Sequence, residues 1–208
     1  MQGTNSLVQI ICNVTLRAYG GDLYVGIMTV LNSVREILQL PANSISQGGQ
    51  PVLSYNFGAR RHSRVKEGIR FITIAGLIYT AAAWALVLLF PSQLMGIFTE
   101  DTAMIEAGRS SMILYFFGFV FMSFQSGGQV TFTAMNCSKR AIFFSLFRKV
   151  IIVVPLTLLL PRLGFGTDGV FLAEPVSNVL GGLACFITMY LTVYRKLPAD
   201  GIEGTGLI

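Results

Sequence analysis

Long runs of apolar residues, separated by short polar segments, set the pattern of this chain. Four runs are 20 to 26 residues long and carry few or no charges: 71–90, 110–135, 141–161 and 169–194. A helix needs about 20 apolar residues to cross the roughly 30 Å hydrocarbon core of a bilayer. The pattern therefore predicts four transmembrane helices. The charges Arg148, Lys149 and Glu174 lie inside two of them.

Two further segments precede these runs and are more polar. Residues 1–19 are polar at first and then apolar in patches, whereas 23–55 contains Arg35 and Glu36. As a helix, 23–55 would be about 50 Å long, which is enough to cross a membrane. With a turn at residues 20–22, we predict six helices, the first of them truncated. Because the membrane-like pattern starts at once, we expect the chain to be part of something longer.

The composition agrees with a membrane protein. Charged residues make up 12% of the chain and hydrophobic residues 53%, with a mean hydropathy of +0.65. Soluble domains carry about 25% charged residues. So few charges exclude a soluble enzyme, a disordered chain and a secreted disulfide scaffold. The net charge of +5 does not indicate nucleic acid, because the basic residues alternate with apolar runs instead of forming one surface. The predicted fold class is an all-α, polytopic transmembrane helix bundle.

The charges between the runs predict an orientation. Three basic clusters occur: Arg60, Arg61, Arg64, Lys66 and Arg70; Lys139 and Arg140; and Arg195 and Lys196. Acidic residues lie in the other connections: Glu100, Asp101, Glu106 and Asp168. Basic clusters beside transmembrane helices are typical of the cytoplasmic side. We therefore expect a multi-pass protein of the plasma membrane with a cytoplasmic C-terminus. The tail, residues 197–208, is expected to be disordered.

The inventory of reactive side chains is sparse. The three cysteines, Cys12, Cys137 and Cys185, are far apart and form no CxxC pair, so we interpret them as packing residues. His62 is the only histidine. These side chains are too few to form a metal site or a nucleophile–base pair. We therefore expect that the protein binds no metal or cofactor and is not an enzyme, either soluble or intramembrane.

Polar residues inside two predicted helices indicate a cavity. Lipid cannot hydrogen-bond such groups, so they must face other helices or water. Interhelical hydrogen bonding is the open alternative for any single residue. Gln125 and Gln129 are four residues apart and share a helix face. The candidates for lining a cavity or substrate path are Asn32, Gln39, Asn43, Gln47, Gln50, Gln125 and Gln129.

Arg35 and Glu36 are candidates for ion coupling. They lie roughly 18–20 Å along the helix that starts at residue 23, near the bilayer middle. An unpaired charge there costs about 3 kcal/mol. Adjacent residues point about 100° apart on a helix, so each is expected to meet a partner on another helix or cavity water. The alternative is that this helix protrudes, so that Arg35 snorkels and Glu36 is merely solvated.

Several motifs resemble one family in the correct order. Residues 47–61 read QGGQPVLSYNFGARR. This run is similar to the end of the eighth helix and the basic loop of the multidrug and toxic compound extrusion (MATE) family. Its motif residues here are Gln50, Pro51, Asn56, Gly58 and Ala59. Residues 13–22, 98–101 and 173–178 resemble the family's seventh helix, its loop from helix nine to ten and its twelfth helix.

The resemblance implies the C-terminal lobe, helices seven to twelve, of a twelve-helix transporter. Such a protein exports bulky, often cationic organic compounds in exchange for Na⁺ or H⁺. Its partners would be the lipid bilayer, the substrate, and a missing N-terminal lobe or a second copy of the chain. The family's acids in the seventh and tenth helices are absent here, where the tenth shows Gln125 and Gln129. Coupling is then expected to reside in the missing lobe.

The role of the chain and that of the motif around Asn56 each have an alternative interpretation. The chain could be a structural or assembly subunit of a membrane complex, or a half-transporter that acts only as a dimer. The motif around Asn56 and Gly58 also has a simpler interpretation as a helix C-cap with a left-handed turn. Arg60, Arg61 and Arg64 are then determinants of topology that meet anionic head groups.

Overall fold

Helices make up almost all of the computed structural model, which describes residues 2–200, with side chains from residue 6. No strand occurs in this described range. The α-helices are α1 (Gln2–Gly58), α2 (His62–Leu89), α3 (Pro91–Gly96), α4 (Thr102–Phe116), α5 (Met122–Ala134), α6 (Ser138–Leu146), α7 (Val154–Leu160) and α8 (Gly166–Thr192). Two 3₁₀ segments (Phe119–Phe121, Tyr194–Lys196) and two π-helical segments (Phe147–Val153, Pro161–Phe165) lie between or after them.

Helix α1 is two arms joined at Gly21. This glycine has φ 72° and ψ −168°, a conformation outside the helix that residues with a side chain rarely adopt. Val8 and Arg35 line the same cavity, although a straight helix would hold them about 40 Å apart. The chain therefore turns back at Gly21, as the predicted turn at residues 20–22 requires.

The last part of the chain turns in the same way at two glycines. Gly164 and Gly166 have φ of 99° and 53°. Arg148 donates a hydrogen bond to Asn178, thirty residues later, which a straight helix would place about 45 Å away. One arm thus runs from α6 to Gly164, and α8 returns beside it.

Six helical arms of membrane length result within the described residues. Three continuous helical runs are long and apolar enough to cross a membrane: His62–Leu89, Thr102–Ala134 and Ser138–Lys196. The last of these contains two arms, and α1 supplies two more polar ones. The all-α membrane bundle predicted from the sequence is therefore confirmed.

Several helix bounds differ from the predicted ones. Helix α2 begins at His62 instead of residue 71, because helical structure continues through the basic residues where the apolar run stops. The run predicted at 110–135 begins at Thr102, where the Asp101 side chain accepts hydrogen bonds from two backbone amides of α4. The short helix α3 was not expected. An apolar run marks only the part of a helix that lies in hydrocarbon.

Glycines bring α8 against the 3₁₀ segment and α5. A Cβ atom on Gly182 would lie 2.5 Å from the carbonyl oxygen of Phe121, and one on Gly128 would lie 2.9 Å from Cys185 Sγ. A Cβ atom on Gly118 would likewise clash with the backbone of Pro175. These contacts let the backbones approach closely, which is how helices pack when lipid surrounds them.

All three basic clusters lie at one end of the bundle. Ser54 at the end of α1 donates to the carbonyl of Ala134 (3.3 Å), and the amide of Ser63 donates to Asp200 (2.7 Å). These bonds join the turns that carry the clusters. At the opposite end, a Cβ atom on Gly20 would lie 2.5 Å from the Thr167 side chain. The two glycine turns therefore share the end without basic clusters.

The left-handed residue after α1 is Arg60, with φ 56°, not Asn56 or Gly58 as expected. The amide of Arg60 donates to Phe57 O at 3.0 Å, and that of Arg61 donates to Asn56 O at 2.9 Å. This pair of bonds is a Schellman C-cap. The capping interpretation is thus correct in kind, but the helix continues through Gly58, so the left-handed position falls later.

The first residues of the predicted disordered tail are ordered, which corrects that prediction for 197–200. Leu197 is buried in a core with Val193, and Asp200 accepts hydrogen bonds from Ser63. The apolar Leu197 and the acid Asp200 find partners on neighbouring elements, which sequence composition does not reveal. Residues 201–208 lie outside the described residues.

Candidate functional site

Glu174, on α8, lies at the centre of a buried group of charged side chains. Its Oε1 accepts hydrogen bonds from Arg35 Nη1 at 2.7 Å, Lys149 Nζ at 3.0 Å and Arg148 Nη1 at 3.4 Å. The four side chains are only 8–19% exposed. We call these four residues the charge cluster.

Three separate arms supply the charge cluster. Arg35 comes from the second arm of α1, and Glu174 from α8, next to Pro175. Arg148 and Lys149 are neighbours on the π-helical segment Phe147–Val153. Their long aliphatic stems allow both to converge on one carboxylate although they are adjacent in sequence. The cluster therefore ties together arms that are distant along the chain.

Tyr115 lies beside Arg35 and binds Asn32 through its hydroxyl. The Tyr115 hydroxyl donates to Asn32 Oδ1 at 2.9 Å, and both residues are buried. The Arg35 Cζ lies 5.9 Å from the centroid of the Tyr115 ring. A guanidinium at that distance is attracted by the ring's quadrupole. Tyr115 thus positions Arg35 and Asn32 at once.

The charge cluster has more cations and donors than anions and acceptors. Three cations surround Glu174, whose carboxylate has about four lone-pair sites. Asn178 adds one acceptor, the Oδ1 that Arg148 contacts. The Nε atoms of Arg35 and Arg148 are buried and have no hydrogen-bond partner in the structure. Burying charge is costly unless it is paired and hydrogen-bonded. The cluster is thus under-supplied with anionic oxygen.

A cavity of about 180 Å³ adjoins the charge cluster. Arg35, Lys149 and Glu174 line its inner wall. Ser6, Gln9 and Glu36 also line it and are exposed, so the cavity opens on their side. The geometry gives a small polar chamber inside the bundle with a route to its surface.

An open groove of about 450 Å³ adjoins this cavity at Glu36. It follows the exposed side of the second arm of α1, where Gln39 and Asn43 lie beside the apolar Ile37 and Leu40. Of the residues predicted to line a cavity, Asn32 faces the chamber, and Gln39 and Asn43 face the groove.

The remaining predicted site residues lie elsewhere. Gln125 is 5% exposed and lines neither space, because α5 packs against α8. Its Oε1 and the Nε2 of Gln129 are buried without a hydrogen-bond partner in the structure. Gln47 is exposed and Gln50 half-buried toward the basic end of α1. The structure does not bring these four glutamines to the chamber.

The family motif forms the end of α1 and no cavity wall beside the charge cluster. Pro51, Gly58 and Ala59 are exposed. The Asn56 side chain is buried and donates to the carbonyl of Val52 at 2.8 Å, one turn back. Together with Val52 and Arg64, Asn56 lines an open depression at the basic end.

Arg35 meets a partner on another helix, as its position in an apolar setting requires. Glu36 is exposed at the junction of chamber and groove. Sequence reasoning missed that Glu174, Arg148 and Lys149 complete the site. Their positions in the sequence could have indicated this, because each is a charged residue inside an apolar run. Among the described residues, no group of three or more His, Cys, Asp or Glu could hold a metal ion.

Comparisons with known proteins agree on one family. A sequence model of the MatE family matches residues 1–159. No curated protein sequence matches the chain. The fold is similar to a multidrug resistance MATE family transporter of the MOP superfamily in its outward-facing conformation, with TM-score 0.88 and 16% identity. It is also similar to MATE in the straight conformation, with TM-score 0.87 and 15% identity.

A third solved structure has higher sequence identity. The MATE multidrug transporter DinF-BH, solved as a complex with a ligand, matches with 32% identity and TM-score 0.76. All three matches cover 93% of this chain. They cover 44% of the first two relatives and 42% of DinF-BH. The chain therefore spans less than half the length of the transporters that it resembles.

Proposed function

The chain belongs to the MatE family, and from this premise we propose that it is one lobe of a secondary active transporter. In this proposal it exports organic compounds across the plasma membrane in exchange for Na⁺ or H⁺. The observation that carries the proposal is the charge cluster beside a chamber that opens to the surface. Charged groups inside membrane helices are costly and mark substrate or ion pathways.

A second lobe is part of this proposal. The matched transporters are more than twice as long, so another six-helix lobe or a second copy of the chain would complete the path. The groove along the second arm of α1 would then face a cleft between lobes. Exposed Ile37 and Leu40, alternating with Gln39 and Asn43, suit an organic substrate with both apolar and polar parts. The relative DinF-BH is a multidrug transporter, which supports a multidrug substrate range.

Glu36 is the acid best placed for coupling to a cation in this lobe. Glu174 already accepts hydrogen bonds from three cations, so a further cation would find little negative potential there. Glu36 is exposed where chamber and groove meet. A carboxylate at that place can take up and release H⁺ or Na⁺ as the cleft opens to either side.

Dye efflux from an efflux-deficient cell tests the proposal. The 208-residue chain alone is expected to give no efflux, because half of a two-lobe cleft would face lipid. The chain fused to a second MatE lobe should export dye in a manner that depends on the ion gradient. Glu36→Gln in the fusion should abolish that dependence, whereas the exposed Lys139→Gln should retain it. Failure of every two-lobe fusion to export any dye would overturn the proposal, and robust efflux by a monomeric chain would overturn its two-lobe part.

A further inference from the structure

We propose that the chamber beside the charge cluster binds the carboxylate of an amphipathic organic anion. This inference rests on the proposed transport function, since it names the class of substrate that this lobe would accept. The site differs from a pocket for organic cations in the sign of its charge.

The charge balance of the chamber is the first reason. Arg35, Lys149 and Glu174 line the chamber, and Glu36 stands at its opening. Arg148 lies behind this wall, where it contacts Glu174 at 3.4 Å. Three cations against two acids leave one positive charge uncompensated. An organic cation entering here would meet like charge, whereas a carboxylate would bring the charge of the site to zero.

Unused hydrogen-bond donors are the second and independent reason. Arg35 Nε and Arg148 Nε are buried and donate to no atom of the structure. A buried donor without a partner costs about 1–3 kcal/mol. Guanidinium groups match carboxylate oxygens in geometry and can bond them through two N–H groups. Of the two guanidinium groups only that of Arg35 lines the chamber, so a carboxylate there would bond Arg35 and Lys149, and it would offset the charge of Arg148 from across the chamber wall.

Size restricts which part of the ligand enters. Sites for whole drug-sized molecules are usually about 300–1,000 Å³. The chamber of about 180 Å³ is smaller and suits a head group. The adjoining groove offers Ile37 and Leu40 for an apolar body. The occupant would thus place its carboxylate on Arg35 and Lys149 and its apolar part along α1.

A binding experiment on the purified chain tests this without any transport. The chain is placed in nanodiscs of zwitterionic phosphatidylcholine and titrated with dansylglycine, a fluorescent monocarboxylate. Dansylglycinamide, which lacks the charge, and a fluorescent organic cation, rhodamine 6G, are the comparison probes. We expect saturable binding of dansylglycine only.

Two variants move the affinity in opposite directions. Lys149→Gln should weaken dansylglycine binding about tenfold, because one charged hydrogen bond is lost while two arginines still hold Glu174. Glu36→Gln should tighten it about threefold by removing a nearby negative charge. The exposed Lys139→Gln changes the net charge like Lys149→Gln but lies far from the chamber, so it should leave binding unchanged. Because Glu36 is exposed, its variant keeps the test valid even if Lys149→Gln does not fold.

Three results would overturn the inference. They are equal binding of the acid and the amide, binding of rhodamine 6G that Glu36→Gln weakens, and no response of dansylglycine binding to either chamber variant. Repeating the titration in nanodiscs that contain phosphatidylglycerol separates a solute from a lipid. Complete loss of dansylglycine binding there would be a fourth contrary result, because it would assign the site to a lipid head group. Since binding is measured without flux, a failure of the transport proposal would not change these outcomes.

Discussion

The guanidinium of Arg35 donates a 2.7 Å hydrogen bond to the carboxylate of Glu174, which lies 139 residues later in the chain. Both side chains are enclosed by the bundle, and Glu174 also binds Lys149 and Arg148. One carboxylate thus holds charges from three arms together. The same arrangement leaves an excess of positive charge beside an open chamber, so stability and the proposed function depend on the same residues.

Removal of the Glu174 charge should destabilise the fold. Glu174→Gln leaves three buried cations without an anion, and breaking a buried pair in this way costs about 3–5 kcal/mol. The exposed pair between Arg17 and Asp22, 3.1 Å apart, provides the control. Asp22→Asn should cost at most about 1 kcal/mol. Thermal unfolding of both variants in the same detergent measures the difference, and equal midpoints would contradict the role given to Glu174.

The close contact between α8 and the 3₁₀ segment Phe119–Phe121 should not tolerate a residue larger than glycine at position 182. Gly182→Ala would place a Cβ atom 2.5 Å from the carbonyl oxygen of Phe121, which is backbone and cannot move alone. Overpacking of this kind costs about 1–3 kcal/mol. Gly48→Ala is the matched control, since that helical glycine has open space around it. There we expect a gain of up to about 1 kcal/mol from helix propensity. Thermal unfolding that ranks the two variants in the reverse order would contradict the packing.

The sequence predicts the helical arms well and their partners poorly. Apolar runs and the glycine turn at Gly21 suffice to predict six arms, because both signals are local. The pairing of Arg35 with Glu174 is not local, and nothing in the spacing indicates which of several intramembrane charges will meet. Chemistry narrows the choice to an acid, and only the fold selects Glu174.

Polar residues in apolar helices are equally ambiguous. Gln125 and Asn32 carry amides in similar surroundings along the chain, yet Asn32 faces the chamber and Gln125 packs between α5 and α8. Their positions depend on how each helix is rotated against its neighbours. The ends of helices are uncertain for another reason. The left-handed residue at Arg60 is set by two backbone hydrogen bonds, not by a residue type that favours this conformation.

The contact between Asp200 and Ser63 should depend on pH. The Ser63 hydroxyl and amide both donate to the Asp200 carboxylate, the amide at 2.7 Å, and these bonds lower the pKa of Asp200. A lowered pKa means that the contact is fully present above the ordinary pKa of aspartate, about 3.9. It is lost as the pH falls through the lower, folded-state value. Helix α2 would then lose its cap.

Hydrogen exchange of the Ser63 amide measures this loss. Protection, corrected for the intrinsic pH dependence of exchange, should fall below pH ~4 and remain constant between about pH 5 and 8, as the carboxylate stays charged there. Asp200→Ala removes the acceptor and should expose the amide at every pH. The exposed Asp22→Asn, at the other end of the bundle, should leave Ser63 unchanged. Equal protection at low and neutral pH would show that the carboxylate does not cap the helix.

We predict the orientation of the bundle from the end that carries the basic residues. Arg61, Lys139 and Arg195 belong to three clusters that hydrogen bonds between their turns bring to one end, and such clusters stay on the cytoplasmic side. A fluorescent protein fused after residue 208 should therefore fold and fluoresce inside the cell. Alkaline phosphatase inserted at residue 100, at the opposite end, should be active outside, and the same insertion at residue 136 should be inactive. Activity at 136 with none at 100 would invert this topology.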